Sequence, residues 1–132
     1  MAQSPVSFLQ DQFTDPYKTP PHSIESEQSV LGGLMLDNDA WEKVADIITE
    51  ADFYRYDHRL IYQHICKLIE QSKPADVITV AESLETSAEL QTVGGLAYIG
   101  TMVQNTPSAA NIKRYAEIVR ERSIMRNLAQ IG

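Results

Sequence analysis

The stretch from Ser108 to Gly132 constrains this chain more than any other part of its sequence. Apolar residues recur along it with helical spacing up to the last positions, namely Ile124, Met125, Leu128 and Ile131. A helix with an apolar stripe buries that stripe against a neighbour. We therefore expect a returning helix beyond Gly132, or a second subunit, to cover it. The pattern indicates assembly rather than chemistry.

Composition and length indicate one soluble domain. The chain has 132 residues, 43% of them apolar, which is enough for a modest core. No apolar run approaches the roughly 18 residues that indicate a membrane span, and the N-terminus lacks the features of a secretory signal. The only cysteine, Cys66, excludes a disulfide framework and fits the cytoplasm. Its apolar helical neighbours predict a buried, unreactive thiol.

Charge is distributed unevenly along the chain. Residues 1–107 hold 6 Lys/Arg and 16 Asp/Glu, a net charge of −10, whereas residues 108–132 hold 5 and 2, a net charge of +3. Binding to nucleic acid depends mainly on neutralising phosphates, so the acidic part is not expected to bind DNA well by itself. The basic helix could touch DNA, although a solvated polar face is the simpler interpretation.

Periodicity predicts an all-α fold, with about five short helices followed by one long helix. Prolines make residues 1–22 a predicted flexible arm, residues 23–107 a helical head, and residues 108–132 the start of a long helix. Helices are expected from Ser23 to Leu36, over 39–48, 57–71 and 77–85, and after Gly94. The β-prone residues 77–80 (VITV) leave a strand open as an alternative there.

Capping residues predict where helices begin, and glycines predict where helices pack closely. Asp57 and Asp76 are expected to cap the third and fourth helices. Thr106, with Pro107 after it, is expected to cap the long helix. The pair Gly32-Gly33 indicates close approach by a neighbouring helix; the alternative, a phosphate-binding turn, lacks the preceding strand. In the fifth helix the predicted inward residues are Leu96, Ile99 and Val103, with Tyr98 and Met102 on the flank.

No catalytic, cofactor-binding or metal-binding residue is predicted. The phosphate-loop pattern GxxxxGK[ST] is absent from the sequence. His58 and His64 are six residues apart, which places them on different faces of a helix, so a two-ligand metal site is not expected. We expect both to be solvated or core-edge histidines. His22 belongs to the predicted arm.

Five ordered strings of sequence resemble the N-terminal domain of DnaB-type bacterial replicative DNA helicases. Together they cover essentially residues 20–132, and strings of this length are specific. They are Pro20–Val44, Ala51–Tyr62, Pro74–Glu85, Val93–Ile99 and Asn105–Arg126.

The resemblance implies a role in a larger machine. In that family an N-terminal helical domain precedes a linker and a RecA-like ATPase that uses ATP and Mg²⁺. Six subunits form a ring around single-stranded DNA, their N-terminal domains pair through helical hairpins, and the resulting collar recruits the C-terminal domain of primase. A helicase loader is a further implied partner. This chain is thus expected to be a collar domain without ATPase activity, its residues 108–132 being the first hairpin arm.

The predicted partner-binding residues fall into three groups. Packing of the hairpin and the dimer is expected from Ile118, Met125, Leu128 and Ile131. Tyr98 is a candidate for the primase-facing surface, and an ordinary core-edge tyrosine is the equal alternative. Basic side chains that could meet primase carboxylates or DNA phosphates are Arg114, Arg120 and Arg122. Two other classes remain open, a small acidic DNA-binding or adaptor module and an independent small enzyme.

Overall fold

The computed structural model describes residues 19–131, except for the side chain of Ile131. Over that range the fold is all-helical, as predicted, and residues 77–80 are helical rather than extended. Two short 3₁₀ turns occur, at Asn38–Ala40 and Glu50–Asp52. The α-helices are α1 (Ile24–Leu36), α2 (Trp41–Val44), α3 (Tyr56–Glu70), α4 (Val77–Thr86), α5 (Gly95–Asn105) and α6 (Ile112–Ile131).

Helix α1 lies at the centre, packed against α3, α5 and α6. A Cβ at Gly32 would lie 2.3 Å from Thr106 Oγ1 and 2.9 Å from the Met102 carbonyl oxygen. A Cβ at Gly33 would lie 3.0 Å from Ile112 Cδ1. The predicted close approach at the glycine pair is therefore confirmed. The pair removes the side-chain bulk that would hold α5 and α6 away from α1.

Helices α3 and α4 complete the head, residues 23–107. The apolar face of α3 is buried, with Ile61 and Ile65 fully enclosed. Asp76 caps α4 as predicted, accepting a hydrogen bond from the Thr79 backbone N–H at 2.9 Å. The cap predicted for α3 is wrong. Arg55 occupies the N-cap position, and Asp57 lies in the first turn.

Helix α5 begins where predicted but is rotated from the expected orientation. Gly94 has φ +96°, a left-handed conformation that glycine adopts without strain, and it leads directly into the helix. Ile99 is buried as expected, but Met102 is only 2% exposed and Leu96 is 47% exposed. The two assignments are therefore reversed, because Met102 rather than Leu96 lies next to Gly32 of α1.

The predicted start of the long helix is also wrong. Thr106 is the C-cap of α5, where its hydroxyl donates to the Met102 carbonyl at 2.8 Å, and α6 begins only at Ile112. The reason is the approach of α1, since the buried Thr106 side chain fills the space that Gly32 leaves. A Thr-Pro pair can start a helix, but in this chain the pair Thr106-Pro107 ends one.

Part of the predicted arm contacts the rest of the domain. Its residues 1–18 lie outside the described part of the chain. The Pro21 carbonyl, however, accepts a hydrogen bond from Arg126 Nη1 at 2.8 Å, and the His22 ring stacks on Tyr54 with centroids 4.3 Å apart. Residues 21 and 22 therefore contact α6 and the turn before α3, while the flexibility of the arm stays a prediction.

Candidate interaction surface

Both histidines of α3 are used in internal hydrogen bonds. His58 is fully buried; its Nδ1 lies 2.7 Å from Glu27 Oε1, and its Nε2 lies 2.7 Å from the Tyr98 hydroxyl. His64 lies 2.7 Å from Ser83 Oγ and 2.9 Å from Glu89 Oε1. The expectation of a solvated or core-edge position is wrong for His58. Within residues 19–131 no cluster of His, Cys, Asp and Glu could hold a metal ion.

The buried carboxylate of Glu27 organises the polar interior of the head. It is 1% exposed and accepts a hydrogen bond from the Tyr54 backbone N–H at 2.7 Å. Because an ionised carboxylate only accepts, His58 Nδ1 must donate to it. This network was not predicted from the sequence. A signal was present, since Glu27 shares the apolar face of α1 with Val30, Leu31 and Leu34 at helical spacing.

Tyr98 belongs to the same network. Gln28 Nε2 donates to its hydroxyl at 3.0 Å, and the Arg55 guanidinium lies 5.5 Å from its ring centroid. The side chain is half-buried, as expected of a tyrosine at the edge of a core. Its hydroxyl is therefore engaged within the head, and only part of the ring faces outward. Its role on a partner surface stays a prediction.

Cys66 lines a shallow cavity between α2 and α3. The cavity volume is about 390 Å³, and Trp41 and Tyr62 also form its wall. The thiol is half-buried rather than buried, and Trp41 Nε1 donates to its sulfur at 3.4 Å. Burial raises the pKa of Cys66. Less thiolate is therefore present near neutral pH, which favours an unreactive thiol.

Helix α6 has two opposite faces. The head-facing stripe is buried and consists of Ile112, Ala116, Val119 and Ser123. Successive residues are rotated by about 100°, so the residues at 124 and 128 lie on the far side. There Ile124, Met125 and Leu128 are 41%, 46% and 62% exposed. Of the predicted dimer residues, Met125 and Leu128 thus lie on this outward face, and Ile118 is half-buried at its border. The side chain of Ile131 lies outside the described residues.

Most of the arginines of α6 are paired within the chain. Arg114 contacts Glu117 and Glu121 at 3.5 and 3.3 Å, on the same helix. Arg120 contacts Asp52 at 3.0 Å, and Arg126 donates to two backbone carbonyls. These contacts engage three of the four arginines of α6 within the chain. Arg122 is half-buried.

These features define an all-helical domain, in which buried polar groups are hydrogen-bonded within the head and one helix presents an apolar outer face. A family model described as the DnaB-like helicase N terminal domain matches residues 19–121. The chain therefore belongs to the family of DnaB-like helicase N-terminal domains, which confirms the resemblance seen in the sequence.

Curated relatives with similar sequences are named replicative DNA helicase DnaB. The replicative DNA helicase DnaB of Haemophilus influenzae is 42% identical over 132 residues, which is 100% of this chain and 28% of that protein. DnaB of Buchnera aphidicola subsp. Baizongia pistaciae is 46% identical over 112 residues, or 85% of this chain and 24% of that protein. The chain thus spans about a quarter of the length of these curated relatives.

Solved structures agree with the fold. The N-terminal domain of DnaB helicase from Mycobacterium tuberculosis has a TM-score of 0.85 at 39% identity, covering 86% of this chain and 79% of that one. The N-terminal domain of DnaB from Helicobacter pylori, a structure described together with its interactions with primase, has a TM-score of 0.68 at 21% identity. It covers 98% of this chain and 92% of that one, and at this identity the likeness concerns the fold alone.

Proposed function

We propose that this chain is the interaction domain of a replicative DNA helicase, which pairs with a second copy through α6 and contributes to ring assembly and primase recruitment. The observation that carries the proposal is the apolar outer face of α6, formed by Ile124, Met125 and Leu128. Under this proposal, DNA unwinding and ATP hydrolysis belong to the roughly three quarters of the longer relatives that this chain does not cover.

The size of this face suits a weak dimer. Complete burial of one such side chain contributes about 1.5–3 kcal/mol, and these three start from partial exposure. Two-fold symmetry would bring the three side chains of each copy together. Association also costs about 4–15 kcal/mol in lost freedom of motion. The isolated domain is therefore expected to dimerise weakly, and a stable hexamer would need contacts from elsewhere in the full-length protein.

Sedimentation velocity across a concentration series tests the pairing. The wild-type chain should shift from monomer to dimer, and the double variant M125S/L128S should remain monomeric at about 500 µM. A matched control is Ile78→Ser, since Ile78 is 64% exposed on α4. A monomeric wild-type chain, or equal weakening by the control, would contradict pairing through α6.

Primase recruitment is supported by two structural relatives. One is described as a DnaB-like replicative helicase with its interactions with primase, and the other is the Helicobacter pylori domain described above. The first has a TM-score of 0.69 at 22% identity, covering 80% of this chain and 24% of that one. The candidate residue on this chain is Tyr98, whose half-buried ring is held at the head surface by Arg55 and His58.

Titration with the C-terminal domain of primase tests this role. Tyr98→Ala should weaken binding about tenfold, in the range of an interface anchor, while Tyr98→Phe keeps the ring and should bind nearly as wild type. Tyr56→Ala serves as the control, because Tyr56 is 59% exposed at the start of α3. Unchanged binding by Tyr98→Ala would remove Tyr98 from the proposal.

A further inference from the structure

A single buried carboxylate, that of Asp52, connects the head to α6. It is 4% exposed. Its Oδ1 accepts hydrogen bonds from Arg120 Nη1 at 3.0 Å and from Ser123 Oγ at 2.7 Å. Its backbone carbonyl accepts a third bond from Arg126 Nη2 at 2.7 Å. We call these three α6 contacts the Asp52 latch.

The latch contacts one stripe of α6, because its three residues are spaced by three positions along the helix. Residues 124, 125 and 128 lie on roughly the opposite side of the same helix. Three contacts along one stripe therefore hold both the rotation of α6 about its axis and its distance from the head. The direction in which the apolar face points follows from these two quantities.

Polar contacts replace apolar packing in the second half of α6. Its buried apolar side chains in the described part of the chain are Ile112, Ala116 and Val119, all in the first half. Beyond Val119, the buried contact with the head is Ser123, which donates to Asp52. The half of α6 that carries the apolar outer face is thus held to the head by the latch.

Asp52 is itself firmly placed. Its Oδ2 accepts a hydrogen bond from the Thr49 backbone N–H at 2.8 Å, which closes a capping box on the 3₁₀ turn. The next residue, Phe53, is buried with its ring 5.0 Å from the Tyr62 ring. On the other side, Arg126 also donates to the Pro21 carbonyl and lies 5.4 Å from the Tyr54 ring centroid. The latch therefore ties α6 to the head and to the chain that enters it.

We propose that Asp52 is a positioning residue that sets the orientation of α6 and so aims its apolar face at the second copy. This inference rests on the proposed pairing through α6 and adds the residue that orients it. It predicts that loss of the latch loosens the second half of α6 and weakens pairing while Met125 and Leu128 remain in place.

Hydrogen exchange followed by mass spectrometry tests the latch directly. The variant R120A/S123A removes both side-chain partners that α6 offers to Asp52 and leaves the capping box intact. Amides of residues 120–130 should then exchange about tenfold faster, while those of α1 and α3 keep their wild-type rates. Asp52→Asn should act in the same direction. Arg114→Ala, which removes ion pairs internal to α6, should leave the rates unchanged. Wild-type exchange in R120A/S123A would overturn the inference.

Sedimentation then separates positioning from general stability. The dimer dissociation constant of R120A/S123A should rise about tenfold, and Arg120→Lys, which keeps a cation beside Asp52, should recover part of the affinity. Val80→Ala creates a cavity in the core on α4 and should lower the melting temperature without changing the dissociation constant. Equal weakening by Val80→Ala would overturn the positioning role.

The two proposals fail in different ways. A wild-type chain that stays monomeric overturns the proposed pairing. A wild-type chain that dimerises, together with an R120A/S123A variant of unchanged affinity, overturns only the role of Asp52.

Discussion

Two buried carboxylates lie next to the turn before α3, and they connect different parts of the molecule. Glu27 is 1% exposed and Asp52 is 4% exposed. Each accepts a backbone N–H, from Tyr54 and Thr49 respectively. Their side-chain partners differ, since Glu27 binds His58 inside the head, whereas Asp52 binds Arg120 and Ser123 of α6.

The two networks therefore have different expected roles: the Glu27 network stabilises the head, and the Asp52 network orients α6. The Glu27 network links α1, the turn at 54–55, α3 and, through Tyr98, α5, so it lies wholly within the head. The Asp52 network crosses from the head to α6. Loss of Glu27 should therefore destabilise the whole head, and loss of the Asp52 contacts should mainly release one helix.

The largest effect is expected from Glu27→Ala. The change leaves the buried His58 ring nitrogen and the Tyr54 N–H without their acceptor, and the free energy of unfolding should fall by about 3–5 kcal/mol. Urea denaturation measures it. Glu25→Ala, at an exposed position of the same helix, should change the stability by no more than about 0.5 kcal/mol. If Glu27→Ala lowers the free energy of unfolding by less than about 1 kcal/mol, the stabilising role that distinguishes Glu27 from Asp52 is contradicted.

Gly32→Ala should come next. Its new methyl group would clash with Thr106 Oγ1 and the Met102 carbonyl, and overpacking of this kind lowers the free energy of unfolding by about 1–3 kcal/mol. Gly100→Ala is the matched control, because nothing lies within 4 Å of its Cβ position. That variant should gain about 0.5–1 kcal/mol from helix propensity. Thermal unfolding measures both, and a stabilised Gly32→Ala variant would contradict the tight contact between α1 and α5.

Tyr98→Phe should have a smaller effect. It removes a hydroxyl that bonds to His58 and Gln28, and a lost hydrogen bond of this type lowers the free energy of unfolding by about 1 kcal/mol. Denaturation and hydrogen exchange together measure the result. The exchange rates of residues 120–130 should stay at their wild-type values, since Tyr98 belongs to the head network. Faster exchange in α6 would show that the two carboxylate networks are coupled.

The smallest effect is expected from Arg114→Ala. Its partners, Glu117 and Glu121, are exposed on the same helix, so the change in the free energy of unfolding should stay below about 0.5 kcal/mol. Parallel melts of Arg114→Ala and Arg120→Ala compare an exposed pair with a latch pair. If both variants have the same melting temperature, the Arg120 contact of the Asp52 latch contributes no more to stability than a surface ion pair.

The outer face of α6 was predictable from the sequence. The repeat that places Met125 and Leu128 on one side is local, and any helix that includes them keeps that spacing. The glycine pair at 32–33 was predictable for the same kind of reason, since two glycines inside a helix indicate a neighbour too close for a side chain. The start of α6 was not, because Thr106 reads equally well as the end of one helix or the start of another until α1 packs against it.

Helical spacing along the chain determined the all-α class and the apolar face of α6, and ordered strings of residues carried the resemblance to a family. Each of these depends on residues that are neighbours in sequence. Only the tertiary structure decided the pairing of Glu27 with His58 and of Asp52 with Arg120, which lie 31 and 68 residues apart. A carboxylate near a helix start looks the same in sequence whether it faces water or a buried donor. Its partner is chosen when the helices pack and water is excluded from around the charge.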